Sequence, residues 1–278
     1  MNIGELVTSK IGQLKAAEID NPSLDARLLA GHALRLDRAQ LLSQSQRILS
    51  ADENTAVEVL IARRMKGEPV ARIIGSREFW GLKFGLNEAT LEPRPDSEAL
   101  IEAVLNTGKR GGRILDLGTG TGCLLLSLLH EWPLATGTGI DIALRAVEQA
   151  AKNAAALGLG GRAEFCVNNW LTGLTGKFDV IVSNPPYIRA ADINGLQREV
   201  RDFDPMMALD GGEDGLGPYR LLIPQLKQFL NPNGIAAFEV GAGQAQDVMN
   251  LFKANEFSNF AAHQDLGGVA RCVIAHIS

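Results

Sequence analysis

The chain has 278 residues, 46% of them hydrophobic and 21% charged, so it can bury a core as one or two domains. With 27 basic and 32 acidic residues the net charge is −5, and the chain as a whole lacks the positive field with which nucleic-acid-binding proteins attract phosphate. No apolar run reaches the roughly 18 residues of a membrane span and no signal peptide is evident, so we expect a cytoplasmic protein without membrane association.

The three cysteines, Cys123, Cys166 and Cys272, are widely separated and form no Cys-x-x-Cys pair. An odd number of scattered thiols is typical of a reduced cytosolic protein. The four histidines do not cluster in the sequence either. We therefore expect no metal site.

Residues 1–66 are predicted to form a compact helical domain. Apolar residues recur at helical spacing over residues 3–14 and again over residues 57–65. Asn21-Pro22 supplies an N-cap and a proline at the first position of another helix. Three leucines of that helix are predicted to face inward: Leu24, Leu28 and Leu29. A bundle of this kind indicates no activity, and docking of a partner is its default interpretation.

Residues 67–92 contain four glycines, three aromatic residues and short alternating runs, which predict a linker with a β-hairpin. From residue 93 to residue 278, apolar strand-like runs alternate with helical stretches, the pattern of a doubly wound α/β domain. The predicted strands cover residues 113–117, 138–141, 163–167, 178–183, 235–240 and 269–277.

A glycine loop follows the first of these strands, with the sequence Asp116-Leu117-Gly118-Thr119-Gly120-Thr121-Gly122. Residues without Cβ let the backbone turn tightly against a ligand. In the dinucleotide-binding fingerprint the third glycine stands where this chain has Cys123, so the spacing disfavours NAD and FAD. Asp141 ends the next strand, where a carboxylate accepts both hydroxyls of a ribose. The alternative role for Asp141 is a helix N-cap.

Asp-x-Gly-x-Gly-x-Gly with an acid after the second strand resembles the class I S-adenosylmethionine-dependent methyltransferases over residues 93–278. The resemblance implies a Rossmann-like domain with a mainly parallel seven-stranded sheet. It also implies S-adenosylmethionine as cofactor and S-adenosylhomocysteine as product. Asn169 and Trp170 stand where that class holds adenine, although a core position is the alternative for Trp170. The implied cofactor-binding residues are Asp116, Gly118, Thr119, Gly120, Gly122, Asp141, Ile142, Asn169, Trp170 and Asn184.

The fourth strand is followed by Asn184-Pro185-Pro186-Tyr187, a loop predicted to carry both catalysis and substrate binding. Ligands of doubly wound sheets bind at the carboxyl ends of the strands, next to the glycine loop. The prolines stiffen the loop and donate no hydrogen bond, so it presents carbonyl acceptors. The Asn184 side-chain carbonyl and the Pro185 backbone carbonyl are suited to hold the two hydrogens of a substrate NH₂ group. A simple proline-rich turn is the alternative interpretation.

Asn-Pro-Pro-Tyr resembles the signature of methyltransferases that act on planar NH₂ groups, which include glutamine amides and the amines of adenine and guanine. Further motifs resemble the HemK-like family of peptide chain release factor glutamine methyltransferases over essentially the entire chain. They lie at residues 68–75, 77–82, 93–98, 204–220 and 238–241. The sequence departs from the common family pattern at Glu92, Ser97, Asn169 and Met206.

This second resemblance implies that the substrate is the glutamine of the Gly-Gly-Gln motif of release factors, methylated on its side-chain nitrogen N5. The helical domain would then help to hold the release factor. We expect a monomer and no nucleic acid substrate. Three other functions stay open: a ribosomal-protein glutamine methyltransferase, an amino-methyltransferase acting on adenine or guanine, and a non-catalytic cofactor-binding docking protein.

Overall fold

The computed structural model describes residues 1–277, which form two compact units. The first unit comprises residues 1–76 together with residues 197–203, and the second comprises residues 77–196 and the chain from Asp204 onward. Residues 67–92, predicted as a linker, are thus divided between the two units. The first unit is discontinuous in sequence, because one of its segments comes from the middle of the second.

Five helices of the first unit follow one another along the chain. They are α1 (Ile3–Ala16), α2 (Pro22–Leu34), α3 (Arg38–Ser43), α4 (Ala51–Met65) and α5 (Val70–Ile74). Helices α1, α3 and α4 each begin with a capping box, in which the N-cap side chain and the residue three positions later exchange hydrogen bonds. Helix α2 begins at Pro22 as predicted, but the Asn21 side chain makes no cap hydrogen bond.

The inward-facing leucines of α2 were predicted incorrectly in two of three positions. Leu29 is buried, whereas Leu24 is 57% exposed and Leu28 is 44% exposed. The buried stripe of the helix instead includes Ala26, Leu29 and Ala30. Leu24 and Leu28 are one turn apart on the opposite flank of the helix. Ala26, Leu29 and Ala30 belong to the hydrophobic core of the first unit, so the neighbouring helices decide which side of α2 is buried.

The second unit alternates strands and helices. Its elements are β1 (Ser76–Phe79), β2 (Leu82–Gly85), α6 (Glu98–Asn106), β3 (Arg113–Leu117), α7 (Cys123–Glu131), β4 (Thr136–Asp141), α8 (Leu144–Ala156), β5 (Ala163–Val167), β6 (Phe178–Ser183), α10 (Gly217–Leu222), β7 (Leu230–Glu239), α11 (Ala245–Ala254), β8 (Ser258–Gln264) and β9 (Ala270–His276). Helix α9 (Arg198–Phe203) lies in the segment that belongs to the first unit.

Strands β3 to β9 form a seven-stranded sheet in the order β5-β4-β3-β6-β7-β9-β8. Strands β3 to β7 pair in parallel, while β9 runs antiparallel to β7 and to β8. This confirms the predicted doubly wound α/β class. The edge strand β8 was not predicted, because its polar and small residues are mostly exposed and lack the apolar alternation of a half-buried strand.

Side-chain alternation along the central strands fills a core on each face of the sheet. Ile114 faces the layer of α6, α7 and the hairpin, while Leu115 and Leu117 face the layer of α10 and α11. Because both faces are covered, the carboxyl ends of the parallel strands form the open edge at which ligands bind in such sheets.

The predicted hairpin of β1 and β2 turns through Trp80 and Gly81, both with positive φ, of 52° and 69°. Positive φ at both central residues is the geometry of a type I′ turn, which matches the twist of the strands it joins. The flanking Phe79 and Phe84 are buried edge-to-face, with ring centroids 6.2 Å apart. The hairpin is thereby part of the core of the second unit.

A buried arginine joins α2 and α4 to the distant segment of the first unit. Arg64 is 4% exposed, and its Nε donates to Asp25 Oδ2 at 2.7 Å while its second terminal nitrogen donates to Glu199 Oε1 at 2.6 Å. A third hydrogen bond reaches the Glu68 backbone carbonyl at 3.2 Å. The guanidinium is thus satisfied on three sides, as its burial requires.

Replacement of Asp25 by alanine should lower the free energy of unfolding of the first unit by about 3 kcal/mol, because it leaves a buried guanidinium short of a charged partner. The matched control is Glu199→Ala, which removes the more exposed of the two carboxylates and should cost distinctly less. Urea unfolding of both variants measures the difference. Equal losses would show that burial does not govern the strength of these pairs.

Candidate active site

A cavity of about 690 Å³ opens at the carboxyl ends of the parallel strands of the second unit. Its wall is built from the loops after β3, β4, β5 and β6, and from residues 89–97 and 205–210. This volume is within the range of small-molecule and cofactor sites. Nine predicted site residues line it: Gly118, Thr119, Gly120, Asp141, Ile142, Asn169, Trp170, Asn184 and Pro186.

The glycine loop is fixed to the neighbouring strand and open towards the cavity. The backbone N–H groups of Gly118 and Thr119 both donate to the Ile140 carbonyl at 2.9 Å. Gly120 has a φ of 53°, and no atom lies within 4 Å of the place where its Cβ would be. A side chain would therefore project into open space, while a ligand can lie directly against the backbone.

Asp141 faces the cavity with both carboxylate oxygens already bound to backbone. Oδ2 accepts from the Gly120 N–H and Oδ1 accepts from the Ala143 N–H, each at 2.9 Å. An ionised carboxylate has about four acceptor positions, so each oxygen retains one for a ligand hydroxyl. The same bonds hold the glycine loop and the start of α8 in place around this side chain.

Asp116 lies behind the glycine loop and does not line the cavity. Its side chain is fully buried, Oδ2 accepts from the Thr119 hydroxyl at 2.6 Å, and Oδ1 is left without a hydrogen-bond partner among residues 1–277. Burial raises the pKa of Asp116 to about 7, although the Thr119 hydrogen bond opposes the shift. A positive charge in the cavity would favour the ionised form of this carboxyl.

The loop after β5 provides one wall of the cavity. The Trp170 ring lies against Gly118, 3.4 Å from the position of a Cβ there, and Trp170 has a positive φ of 51°. The Asn168 side-chain amide donates to the Trp170 carbonyl at 3.0 Å and its oxygen accepts from the Asn169 N–H at 3.0 Å. Asn168 thus shapes the turn that presents Asn169 and Trp170. It was missed as a site residue.

The Asn-Pro-Pro-Tyr loop leaves β6 and is held by side chains on both sides. Asn184 Nδ2 donates to Ser97 Oγ at 3.3 Å, the Tyr187 hydroxyl donates to Glu239 Oε1 at 3.3 Å, and Gln244 Nε2 donates to the Tyr187 carbonyl at 3.0 Å. Asn184 and Pro186 line the cavity, whereas Pro185 and Tyr187 do not. Burial raises the pKa of the Tyr187 hydroxyl well above its usual value, so it stays protonated and can donate to Glu239.

Gly122 also lies off the cavity wall, at the start of α7, where it has a φ of 80°. Other lining residues were not among the predicted site residues. They are mainly Glu92, Pro93, Arg94, Ser97, Met206, Met207 and Asp210. All lie in or beside the motifs at residues 93–98 and 204–220. From the first motif, Arg94, Pro95 and Glu98 were expected to cap a helix and shape the rim of the cofactor site, and Arg94 does line the cavity.

The segment after α9 packs against the back of the Asn-Pro-Pro-Tyr loop. Ile188 and the segment exchange backbone hydrogen bonds, with Ile188 N–H donating to the Leu209 carbonyl and Gly211 N–H donating to the Ile188 carbonyl. A Cβ on Gly211 would lie 2.8 Å from Tyr187 Cα and 2.9 Å from the Pro186 carbonyl oxygen. Only glycine permits this approach, and Asp204 at the start of the segment pairs with Arg94.

Residues 1–277 contain no group of three or more His, Cys, Asp or Glu side chains placed to hold a metal ion. Within the same residues no helix has the length and apolar content needed to cross a membrane.

The site fits a nucleoside cofactor that carries positive charge. The backbone is exposed at Gly120, Asp141 keeps free acceptor positions, the Trp170 ring offers an apolar face, and the buried Asp116 carboxyl has an unpartnered oxygen. The open backbone at Gly120 lets the cofactor lie against the loop, Asp141 suits the ribose of S-adenosylmethionine, Trp170 suits its adenine, and Asp116 suits its cationic part.

Solved structures of methyltransferases share this fold. The T. thermophilus 16S rRNA N2 G1207 methyltransferase in complex with AdoMet and guanosine matches with a TM-score of 0.52 and 21% identity, over 73% of this chain and 50% of that one. The hMettl16 catalytic domain matches with a TM-score of 0.55 and 13% identity, over 78% and 81% of the two chains. Fold and site together define an S-adenosylmethionine-dependent methyltransferase of class I.

Two family models match the chain, the PrmC N-terminal domain over residues 5–75 and the methyltransferase small domain over residues 94–199. Curated relatives named release factor glutamine methyltransferase are 49% identical in Rhodospirillum rubrum, over 98% of this chain and 84% of the relative, and 46% identical in Bradyrhizobium diazoefficiens, over 95% and 91%. The chain belongs to the family of release factor glutamine methyltransferases.

Gly211→Ala should reduce the rate of methyl transfer and lower the free energy of unfolding by about 1–3 kcal/mol, because the added methyl group forces the Asn-Pro-Pro-Tyr loop away from its support. The matched control is Gly161→Ala, where no atom lies within 4 Å of the added Cβ. Thermal unfolding and steady-state kinetics measure both effects. Unchanged activity of Gly211→Ala would contradict the idea that this contact fixes the loop.

Proposed function

We propose that this protein transfers a methyl group from S-adenosylmethionine to the side-chain amide nitrogen N5 of a glutamine in a peptide chain release factor. The observation that carries the proposal is the Asn184 side chain on the cavity wall. Its amide nitrogen is bound to Ser97, so its carbonyl oxygen is available to a substrate N–H. Membership of the family supplies the identity of the substrate.

In this proposal the cofactor is held by the loops after three parallel strands. Asp141 accepts the ribose hydroxyls with its remaining acceptor positions, and Asn169 and Trp170 bind the adenine. Gly118, Thr119, Gly120 and Ile142 form the wall beside the methionine and ribose parts. Asp116 acts from behind the loop as a negative charge, and Gly122 shapes the loop rather than touching the ligand.

The bound cofactor supplies a methyl group that its sulfonium already activates. The glutamine amide is a poor nucleophile, because its lone pair is delocalised into the carbonyl, so the work left to the protein is alignment. The Asn184 oxygen on the cavity wall would accept one N–H group and direct the nitrogen at the methyl group; the Pro185 backbone carbonyl, predicted to accept the other, lies off that wall. Such alignment contributes on the order of 7–11 kcal/mol. One N–H hydrogen leaves as a proton when the N–C bond forms.

The glutamine we propose is that of the Gly-Gly-Gln motif of release factors. The helical first unit would hold the body of the release factor, with the protein acting as a monomer in the cytoplasm. The net charge of −5 argues against a nucleic acid substrate, since binding to phosphate depends on positive charge. The likeness to an rRNA methyltransferase does not counter this, because at 21% identity it extends to the fold alone.

Mass spectrometry of a purified release factor tests the proposal directly. After incubation with the protein and S-adenosylmethionine, the Gly-Gly-Gln peptide should gain the mass of one methyl group, located on the glutamine. A release factor with that glutamine replaced by asparagine is the control for specificity. An unmodified peptide in the presence of a competent control enzyme would refute the substrate, and methylated RNA in the same assay would favour a nucleic acid amine.

Two variants should separate binding from transfer. Asn184→Ala removes the predicted acceptor and should reduce methyl transfer by at least about 100-fold with little change in cofactor affinity. Asp141→Ala removes the predicted ribose acceptor and should weaken cofactor binding first. Calorimetric titration with S-adenosylhomocysteine and the methyl-transfer rate measure the two effects. Normal transfer by Asn184→Ala would point to a docking protein or to a different catalytic group.

A further inference from the structure

Two buried polar side chains lie beside the Asn184 loop, Ser97 on the cavity wall and Glu239 off it. Ser97 is 2% exposed and Glu239 is 1% exposed. Ser97 ends the short 3-10 turn before α6, and Glu239 is the last residue of β7. A carboxyl group at such depth is costly unless hydrogen bonds compensate for the lost water. Its position next to the catalytic loop suggests that the cost serves the site.

Ser97 stands between Asn184 and the Glu239 carboxyl. Asn184 Nδ2 donates to Ser97 Oγ at 3.3 Å. The Ser97 hydroxyl lies close enough to the Glu239 carboxyl to lower its pKa by hydrogen bonding. The Tyr187 hydroxyl donates to Glu239 Oε1 at 3.3 Å. Oε2 of Glu239 is buried without a partner among residues 1–277. The carboxyl therefore still has acceptor capacity for a hydroxyl hydrogen.

The charge of Glu239 sets the direction of the hydrogen bonds through Ser97 to Asn184. An ionised carboxylate only accepts, so Ser97 must turn its hydrogen towards Glu239. The lone pairs of Ser97 Oγ then face Asn184, where they require a donor. Asn184 must present its NH₂ group to Ser97, which leaves its carbonyl oxygen as the acceptor for a ligand in the cavity that Asn184 lines.

We propose that Glu239 is a positioning residue for methyl transfer, which acts through Ser97 to hold the Asn184 amide with its carbonyl oxygen towards the substrate nitrogen. The inference rests on the proposed function, in which that oxygen accepts an N–H of the glutamine. A reversed Asn184 amide would place its own NH₂ group against the NH₂ group of the substrate. Two donors would then face each other, and the substrate would not be aligned.

The protonation of Glu239 connects this arrangement to pH. Burial raises the pKa of Glu239 to about 7, against the opposing hydrogen bonds from Ser97 and Tyr187. Above that pH the Glu239 carboxylate accepts a hydrogen bond from Ser97, and Asn184 is correctly oriented. Below it, a protonated Glu239 can donate to Ser97, and the direction of both hydrogen bonds can reverse. Activity should thus be lost as the pH falls through 7.

The titratable and charged groups that interact electrostatically with Glu239 are Asp96, Cys123, Tyr187, Tyr219, Arg271 and Cys272.

Glu239→Gln is the first test. Glutamine keeps the shape of the side chain but adds an NH₂ donor, which can reverse the direction of the hydrogen bonds through Ser97 to Asn184. We expect kcat for release factor methylation to fall about 10- to 100-fold at pH 8, while KM and the affinity for S-adenosylhomocysteine change little. The decline of kcat below pH 7 in the wild-type protein should disappear in the variant. A purely structural role for Glu239 would not remove that pH dependence.

Ser97→Val and Ser97→Thr form a matched pair of nearly equal shape, of which only threonine keeps the hydroxyl. Ser97→Val should lose kcat as Glu239→Gln does, and Ser97→Thr should recover most of the loss. The double variant Glu239→Gln with Ser97→Val should be little worse than either single variant, since both interrupt the same connection from Glu239 through Ser97 to Asn184. This pair decides the question even if Glu239→Gln fails to fold.

Wild-type kcat in Ser97→Val, or in a folded Glu239→Gln, would overturn the positioning role while leaving the proposed function intact. So would a pH dependence of kcat that is unchanged in Glu239→Gln. A wild-type protein that methylates no release factor would instead refute the proposed function, and the inference with it. The assay of the wild-type protein distinguishes the two failures before any variant is compared.

Discussion

Parallel pairing of β3 with β4 and β6 is the constraint on which the site depends. The register places Leu117 beside both Ile140 and Ser183, so the glycine loop, Asp141 and Asn184 leave the sheet at one level. Hydrogen bonds then tighten this arrangement, since Asp141 binds the Gly120 N–H and the Ser183 hydroxyl binds the Leu117 carbonyl. Cofactor and substrate loops are therefore neighbours because of backbone geometry, before any ligand is bound.

The Asn-Pro-Pro-Tyr loop is held by side chains and backbone of the protein itself. Gln244 and Glu239 bind Tyr187, Ser97 binds Asn184, and the backbone of Gly211 packs against the loop. None of these contacts requires the cavity to be filled. A loop supported in this way keeps its acceptors in place while substrates exchange, which is the condition under which alignment accelerates a reaction.

Much of the fold was predictable from sequence, because strands buried on both faces give continuous apolar runs and glycine loops have a distinctive spacing. The edge strand β8 was missed because its exposed residues carry no such pattern. The prediction that Leu24 and Leu28 face inward was wrong, because hydrophobicity alone does not show which side of a helix contacts its neighbours. Ser97 and Glu239 lie in the motifs at residues 93–98 and 238–241, but their support of the Asn184 loop was out of reach. Ser97 binds Asn184 and Glu239 binds Tyr187 only because the folded sheet brings these distant residues together.

The discontinuity of the first unit limits which segments can be exchanged between homologous proteins. Residues 197–203 complete a unit otherwise formed by residues 1–76, and Arg64 binds Glu199 within that unit. Residues 1–76 alone therefore do not contain the whole unit. A chimera in which only residues 1–76 are exchanged between homologues would place Arg64 of one protein against the residue that stands at position 199 in the other. Recombination that respects the fold has to move both stretches together.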